Sequence, residues 1–508
     1  MKNQKGIVYL IGAGPGDPGL ITVRGMECIG KADVLVYDFL APPTLLAHAA
    51  KNAERIYVGK KGGDHTLSQE GINDLLVEKA GAGLTVARLK GGDPFIFGRG
   101  GEEAEVLVRA GISFEVVPGV TSAVAAAAYA GIPLTHRDHT STLAFVTGHE
   151  DPTKSESSID WNALAKIGTQ VYFMGVKNLP KIVERLQAGG MPSTTPVALI
   201  RWGTTPMQQT VVGTMADIVE TVEAAGLKAP AIIVVGQVVS LRQTLAWFEN
   251  RPLIGKRIVV TRARKQSSGL VKTLNDLGAA VLECPTIEVT APESWQPLDT
   301  AIDRISGYHW LVFTSVNGVA FFFDRLFGRG RDARCLGHVR TCAIGPATAD
   351  ALRGFGLRTD ILPESYRAES VVAAFEAQKV SGQRILLPRA AEARPILPVE
   401  LTRMGAEVDE VPAYRTRPSA EGKQALLEAL EGGKVDMVTF TSSSTVKNFQ
   451  ALLPPGRQAD LMARVSVASI GPITSDTAAE AGFHVEVSAE TYTIEGLVAA
   501  VLNHYGRG

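Results

Sequence analysis

Short apolar runs rich in Val and Ile recur along the chain, with helix-length segments between them. Ile7–Ile11, Val34–Tyr37, Thr85–Leu89, Leu143–Thr147, Val171–Met174, Val197–Ile200 and Ile232–Val235 are uninterrupted enough to predict strands buried on both faces. Their alternation with helices predicts an α/β fold throughout. A break falls near Gln243–Lys256, where Trp247, Phe248, Glu249, Asn250, Arg251 and Pro252 end a helical segment and a strand, Arg257–Thr261, follows at once.

Beyond the break the pattern repeats. "RIVVTRA" from Arg257 returns as "RILLPRA" from Arg384, and the Phe313 segment returns at Phe440. "AIGPATADALRGFG" around Gly345 returns as "SIGPITSDTAAEAG" around Gly471, and Tyr366 matches Tyr492. Four blocks in one order at nearly one offset predict two similar α/β lobes with a cleft between them.

The chain has 508 residues, which at about 150 per domain suggests roughly three domains. Lys plus Arg number 51 and Asp plus Glu 52, a net charge of −1, so nothing favours coating nucleic acid or an anionic membrane. An anionic ligand needs a local patch instead. Cys28, Cys284, Cys335 and Cys342 are scattered and form no CxxC pair, so neither a disulfide framework nor a structural zinc site is expected. No histidine cluster has ligand spacing, and no metal is predicted. Gly12, Gly14 and Asp17 interrupt the first apolar run, and the Ala-rich uncharged segment Gly119 to Leu134 is too short to span a bilayer. The expected location is the cytoplasm.

Glycine is 52 of the 508 residues, and much of it falls in loops. The first strand runs into Gly12-Ala-Gly14-Pro15-Gly16-Asp17-Pro18-Gly19, and Asp38 ends the next strand. This is not a dinucleotide fingerprint. The spacing is G-x-G-x-G, and Pro15 and Pro18 remove N–H groups a pyrophosphate would need. A second loop, "RLKGGDPFIFGRGGEE" from Arg88, offers close backbone approach at Gly91 and Gly92, an acceptor at Asp93 and an apolar wall at Phe95, Ile96 and Phe97. A third segment sets Thr121 and Ser122 at a helix start, where N-capping is the simple alternative.

Together with "VYLIGAGPGDPGLITVRG", "VGKKGGDHTLSQEGIN", "VPGVTSA", "GIPLTHRD", "VTGH" and "YFMG", these segments resemble the tetrapyrrole methylases, and among them the uroporphyrinogen-III C-methyltransferases. The resemblance covers Val8 to about Arg242 and implies a two-lobed methylase fold. It implies S-adenosylmethionine as methyl donor, with S-adenosylhomocysteine as product. It implies donor contacts at Pro15, Gly91, Gly92, Asp93, Ile96, Thr121, Ser122, Met174 and Gly203, with Asp38 as proton acceptor and Lys60 as proton donor. It also implies a homodimer through the methylase half. Phe39 stands where the family usually has Arg.

The chemistry follows from the residue types. A pyrrole carbon attacking a methyl sulfonium leaves a charged ring that must lose a proton, and a carboxylate such as Asp38 can stabilise the charge or take the proton. A polycarboxylate tetrapyrrole needs cations, for which Lys60, Lys61, Arg99, Arg137 and Arg201 are loop candidates.

In the second half the repeats set Thr314, Ser315 and Asn317, then Thr441, Ser442, Ser443 and Thr445, at strand-to-helix turns. Thr348 and Thr474 occupy a second equivalent pair. Each is individually explained by N-capping; facing one cleft, they form a candidate carboxylate cradle. "VVTRA", "VFTSVNGV", "AIGPATADAL", "VPAYRT" and "FTSSSTV" resemble uroporphyrinogen-III synthase. That resemblance implies cyclisation of hydroxymethylbilane with inversion of one ring. It implies lobe one at 255–290 plus 416–508, lobe two at 291–415, and Tyr414 as an aid to hydroxyl departure. The division expected is a methylase at 1–245 and a synthase at 255–508, joining cyclisation to double methylation giving precorrin-2. The rivals are a methylase for another substrate, and a two-lobed second half that only binds.

Overall fold

The computed structural model describes residues 5–59, 67–149, 158–262, 264–365, 367–393 and 395–506, with backbone alone at 264–268. The chain forms two compact units. One extends through Arg257 and includes Thr273–Ala280; the other is Ile258–Lys272 with Val281–His504.

The first unit contains two sheets. β1 (Ile7–Gly12), β2 (Val34–Tyr37), β3 (Glu54–Tyr57), β4 (Val86–Lys90) and β5 (Ser113–Val117) pair in the order β3-β2-β4-β1-β5. All are parallel, with Leu10 opposite both Arg88 and Val116. Val8, Leu10, Val36, Leu76 and Leu107 pack on one face, and Ile11, Ile29, Leu35, Leu45 and Leu89 on the other. Burial on both faces explains the unbroken apolar runs of the central strands. Edge strand β3 reads ERIY and carries no such run; it is fixed by pairing with β2, Tyr37 against Tyr57.

The second sheet joins β6 (Leu143–Thr147), β7 (Thr169–Phe173), β8 (Pro196–Arg201), β9 (Gln209–Thr214) and β10 (Ala231–Val235) in the order β6-β7-β10-β8-β9. Only β6 and β7 run parallel. The strand expected at Val171–Met174 stops at Phe173, because Met174 takes φ 56°.

The other unit also has two sheets. Its strands are β11 (Arg257–Val260), β12 (Ala280–Glu283), β13 (Ile287–Thr290), β14 (Trp310–Phe313), β15 (Arg340–Ala343), β16 (Arg384–Ala390), β17 (Glu407–Pro418), β18 (Met437–Phe440), β19 (Ser466–Ser469) and β20 (Val487–Ser488). The orders are β12-β11-β18-β19-β20 and β13-β17-β16-β14-β15. The chain passes between the sheets where β13 pairs antiparallel with β17, Thr290 against Arg415.

The sequence repeat and the lobes are out of phase. β11 opens the first repeat but pairs with β18 of the second, Ile258 against Met437. β16 opens the second repeat but pairs with β14 of the first, Ile385 against Trp310. Each lobe is completed by the other repeat's first strand. Reciprocal hydroxyl contacts seal one junction: Thr261 Oγ1 donates to the Thr439 carbonyl (2.8 Å) and Thr439 Oγ1 to the Val259 carbonyl (3.0 Å).

Candidate active sites

At the carboxyl edge of the first parallel sheet, where α/β folds place ligands, three glycine loops meet backbone to backbone. A Cβ built on Gly12 would lie 2.4 Å from Gly119 Cα and 2.7 Å from the Gly92 carbonyl oxygen. Gly92 N donates to the Gly14 carbonyl (2.7 Å), and Gly14 N to that of Gly92 (3.3 Å). Asp93 stitches the loops: Oδ1 accepts from Phe95 N (2.8 Å) and Oδ2 from Gly119 N (2.9 Å). Its carboxylate therefore organises the loop as well as offering an acceptor.

The loop after β8 closes on the same place. Asp17 N donates to Thr204 Oγ1 (3.0 Å), and Tyr129 OH donates to Asp17 Oδ2 (2.7 Å). Burial, then the Asp17 contact, pushes the Tyr129 hydroxyl well above its ordinary value. A Cβ on Gly203 would lie 2.3 Å from Ala126 Cβ, so the small residues of helix Ser122–Tyr129 let that loop approach. Thr121 is the N-cap of this helix but makes no side-chain cap bond, so capping does not account for its hydroxyl.

Five non-glycine residues among those described have positive φ: Phe97, Arg99, Met174, Trp202 and Thr204. All lie in the loops after β4, β7 and β8. Each such residue costs roughly 1–2 kcal/mol, and strain gathered in three loops marks a functional place. The rim is apolar and open: Phe95, Ile96, Phe97 and Met174 are exposed, with Phe97 5.0 Å from the Phe173 ring. Pro15 is half-buried in the first loop.

Asp38 follows β2. Its Oδ1 accepts from Leu40 N (3.1 Å) and its Oδ2 faces Arg88 Nη2 (3.4 Å). A Cβ on Gly91 would fall 2.4 Å from Leu40 Cβ, so the Asp38 loop rests on the second glycine loop. Phe39, exposed, meets Trp202 edge-on at 5.9 Å. Lys60, Lys61 and His65 lie outside the described residues. Arg99 is exposed and paired with Glu102 (2.6 Å). Arg137 is exposed in the turn closed by His136 and Thr140. Arg201 ends β8 with its Nε buried and no hydrogen-bond partner among the described residues.

In the second unit a cleft of about 690 Å3 is lined by Thr314, Ser365, Arg367, Ser370 and Arg389, with Ile473 from the other sheet's side. Arg389 is buried, and desolvation pulls its guanidinium down while Glu410, 3.4 Å away, opposes this. The sequence reading missed Arg367 and Arg389. The repeat held a signal for Arg389, because Arg262 is its counterpart, and burial pulls that guanidinium down as well.

The hydroxyl cradle is smaller than expected. Thr348, Thr445 and Thr474 are buried, with exposures of 4%, 1% and 5%, and none is among the residues that line the cleft. Thr445 is consumed by a capping box with Ser442, and Ser443 Oγ accepts from Thr477 Oγ1 (2.7 Å). Asn317 is half-buried in the first helical turn after β14. Ser315 caps that helix through Gly318 N (3.0 Å) and lies 2.9 Å from the Tyr414 hydroxyl. Tyr414 is buried, 5.9 Å from the stacked ring of Phe321, and desolvation pushes its hydroxyl up.

Burial raises all four thiols, Cys284 to about 11 and Cys342 to about 12, so they are poor nucleophiles at neutral pH. Among the described residues no cluster of three His, Cys, Asp or Glu side chains could hold a metal, and no helix is long and apolar enough to cross a membrane.

Glycine loops at a parallel sheet edge followed by a strand-exchanged pair of α/β lobes define a methylase domain fused to a synthase domain. Residues 7–219 match the tetrapyrrole (corrin/porphyrin) methylases, and residues 268–499 match uroporphyrinogen-III synthase HemD. A porphyrin biosynthesis protein HemD of Ruminiclostridium josui is 39% identical over 98% of both chains. A uroporphyrinogen-III C-methyltransferase of Bacillus subtilis is 43% identical over 72% of this chain and 74% of its own. An S-adenosyl-L-methionine-dependent uroporphyrinogen III methyltransferase of Methanosarcina barkeri is 54% identical over 48% of this chain and 96% of its own. The chain belongs to this family of fused tetrapyrrole methylases and HemD-type synthases.

Proposed function

We propose that the chain makes uroporphyrinogen III from hydroxymethylbilane and methylates it twice to precorrin-2. The observation that carries this reading is the presence of both domains in one chain, aligned end to end with a relative over 98% of its length. Residues 1–245 carry methyl transfer. Residues 255–508 carry cyclisation, with lobe one at 255–290 plus 416–508 and lobe two at 291–415.

S-adenosylmethionine supplies an electrophilic methyl group on a sulfonium. The glycine loops fit such a ligand, since they bring main-chain atoms together where any Cβ at Gly12 would collide. Pro15, Gly91, Gly92, Asp93, Ile96, Thr121, Ser122, Met174 and Gly203 hold it, and the apolar rim of Phe95, Phe97 and Met174 excludes water. Asp38, held by Leu40 N, accepts the proton that the charged tetrapyrrole releases after methyl transfer, and Lys60 is the proton donor. Arg99, Arg137 and Arg201 meet substrate carboxylates.

In the synthase half, Thr314, Arg367 and Arg389 receive carboxylates of the linear tetrapyrrole, with Ser315, Asn317, Ser442 and Ser443 at the neighbouring turns. Tyr414, with Ser315 beside its hydroxyl, assists departure of the substrate hydroxyl; folding the chain and choosing the attacking carbon do the remainder. The enzyme works in the cytoplasm as a homodimer through the methylase half, a state that sedimentation would read directly.

Incubating the pure chain with hydroxymethylbilane and S-adenosylmethionine yields precorrin-2; methylation of supplied uroporphyrinogen III without cyclisation would remove the synthase claim. Tyr414→Phe slows cyclisation about 10- to 100-fold while methyl transfer from supplied uroporphyrinogen III stays at the wild-type rate. Unchanged cyclisation would free Tyr414 from this role.

A further inference from the structure

Behind Asp38 lies a set of charges that the proposed chemistry leaves unused. Arg88 and Lys90 occupy alternate positions on β4, hence one face of the central strand, and their side chains are each 4% exposed. Glu103, on the covering helix Gly100–Arg109, is fully buried and takes Lys90 Nζ at 2.6 Å and Arg88 Nε at 3.4 Å on the same oxygen. Gln69 Nε2 reaches that oxygen at 3.3 Å, and Glu103 Oε2 has no hydrogen-bond partner among the described residues. Burial, then the neighbouring Arg88, pulls the Lys90 ammonium below its ordinary value. Taking such ions out of water costs several kcal/mol each, and apolar packing of similar volume would be at least as stable. Stability alone does not explain them.

The three nitrogens of Arg88 explain more. Nη1 donates to the Leu89 carbonyl (2.9 Å), Nε faces Glu103 and Nη2 faces Asp38, whose side chain is 27% exposed. The guanidinium is a rigid fork bridging a sealed carboxylate to an open one.

We propose that Arg88 is a positioning residue for methyl transfer, anchored by Glu103 and Lys90 and setting the direction of the Asp38 carboxylate at the donor loops. This rests on Asp38 being the proton acceptor. The test uses the full chain with uroporphyrinogen III and S-adenosylmethionine. Arg88→Gln lowers kcat about 10- to 100-fold, while KM for the methyl donor and Kd for S-adenosylhomocysteine stay within about two-fold. Glu103→Gln, at a residue sealed from any ligand, gives the same kcat-only loss in weaker form and serves where Arg88→Gln does not fold. On an Asp38→Asn background, Arg88→Gln adds no further loss. Losses that multiply in the double variant, or that fall equally on S-adenosylhomocysteine binding, make the cluster merely structural and overturn the inference. Undiminished methyl transfer by Asp38→Asn alone would instead remove the acceptor assignment beneath it.

Discussion

Asp38→Ala lowers the rate of methyl transfer by about 100- to 10,000-fold, the range for losing a positioned proton acceptor, and leaves cyclisation of hydroxymethylbilane at the wild-type rate. The expectation rests on three facts. Asp38 leaves the end of a central parallel strand, its loop touches the second glycine loop through Leu40 and Gly91, and its two oxygens are held by Leu40 N and Arg88. Alanine removes the acceptor without filling space, so S-adenosylhomocysteine binding, read by calorimetry, stays near wild type. The two reactions must be assayed separately, with uroporphyrinogen III supplied for the first. Full methylation by the variant would mean that the proton leaves to another group or to water.

Gly12→Ala has the second large effect. The added methyl meets only main chain: Gly119 Cα at 2.4 Å, Gly119 N at 2.5 Å and the Gly92 carbonyl oxygen at 2.7 Å. No side chain can rotate away, so the three loops must part. Overpacking of this kind costs about 1–3 kcal/mol of stability. The donor site loses its shape, and Kd for S-adenosylhomocysteine rises at least about 100-fold, or about 2.7 kcal/mol. Calorimetry checks the affinity and thermal unfolding the stability. Binding within about three-fold of wild type would show that the loops can separate harmlessly, and that the donor lies elsewhere.

Much of this was legible from residue order. Strands buried on both faces announced themselves as unbroken apolar runs, whereas edge strand β3 could not, because pairing with β2 and not its own apolarity holds it. The glycine loops were readable because glycine and proline declare backbone conformation directly. The left-handed geometry of Phe97, Met174, Trp202 and Thr204 was not, since tertiary contacts impose it on residues with no preference for it. Arg88 and Lys90 look like surface charges in "RLKGGD"; only the covering helix with Glu103 buries them. In the second half, serines and threonines at helix starts gave the right turns but overstated the cradle, because Thr348, Thr445 and Thr474 are buried and Thr445 closes a capping box.

The exchanged first strands set the order of assembly during synthesis. β11 emerges early, yet its neighbour β18 follows about 180 residues later, which at about 5–20 residues per second is roughly ten to forty seconds of translation. Through that interval the lobe containing β11 lacks its central strand pair and presents an unpaired edge, whereas β14, β15 and β16 arrive in order and can pair as they emerge. The lobe whose strands are contiguous therefore folds first, and the other closes only when the last quarter of the chain is made. A ribosome stalled before Met437 would hold one finished lobe and one sticky strand, a state that limited proteolysis of arrested chains would reveal.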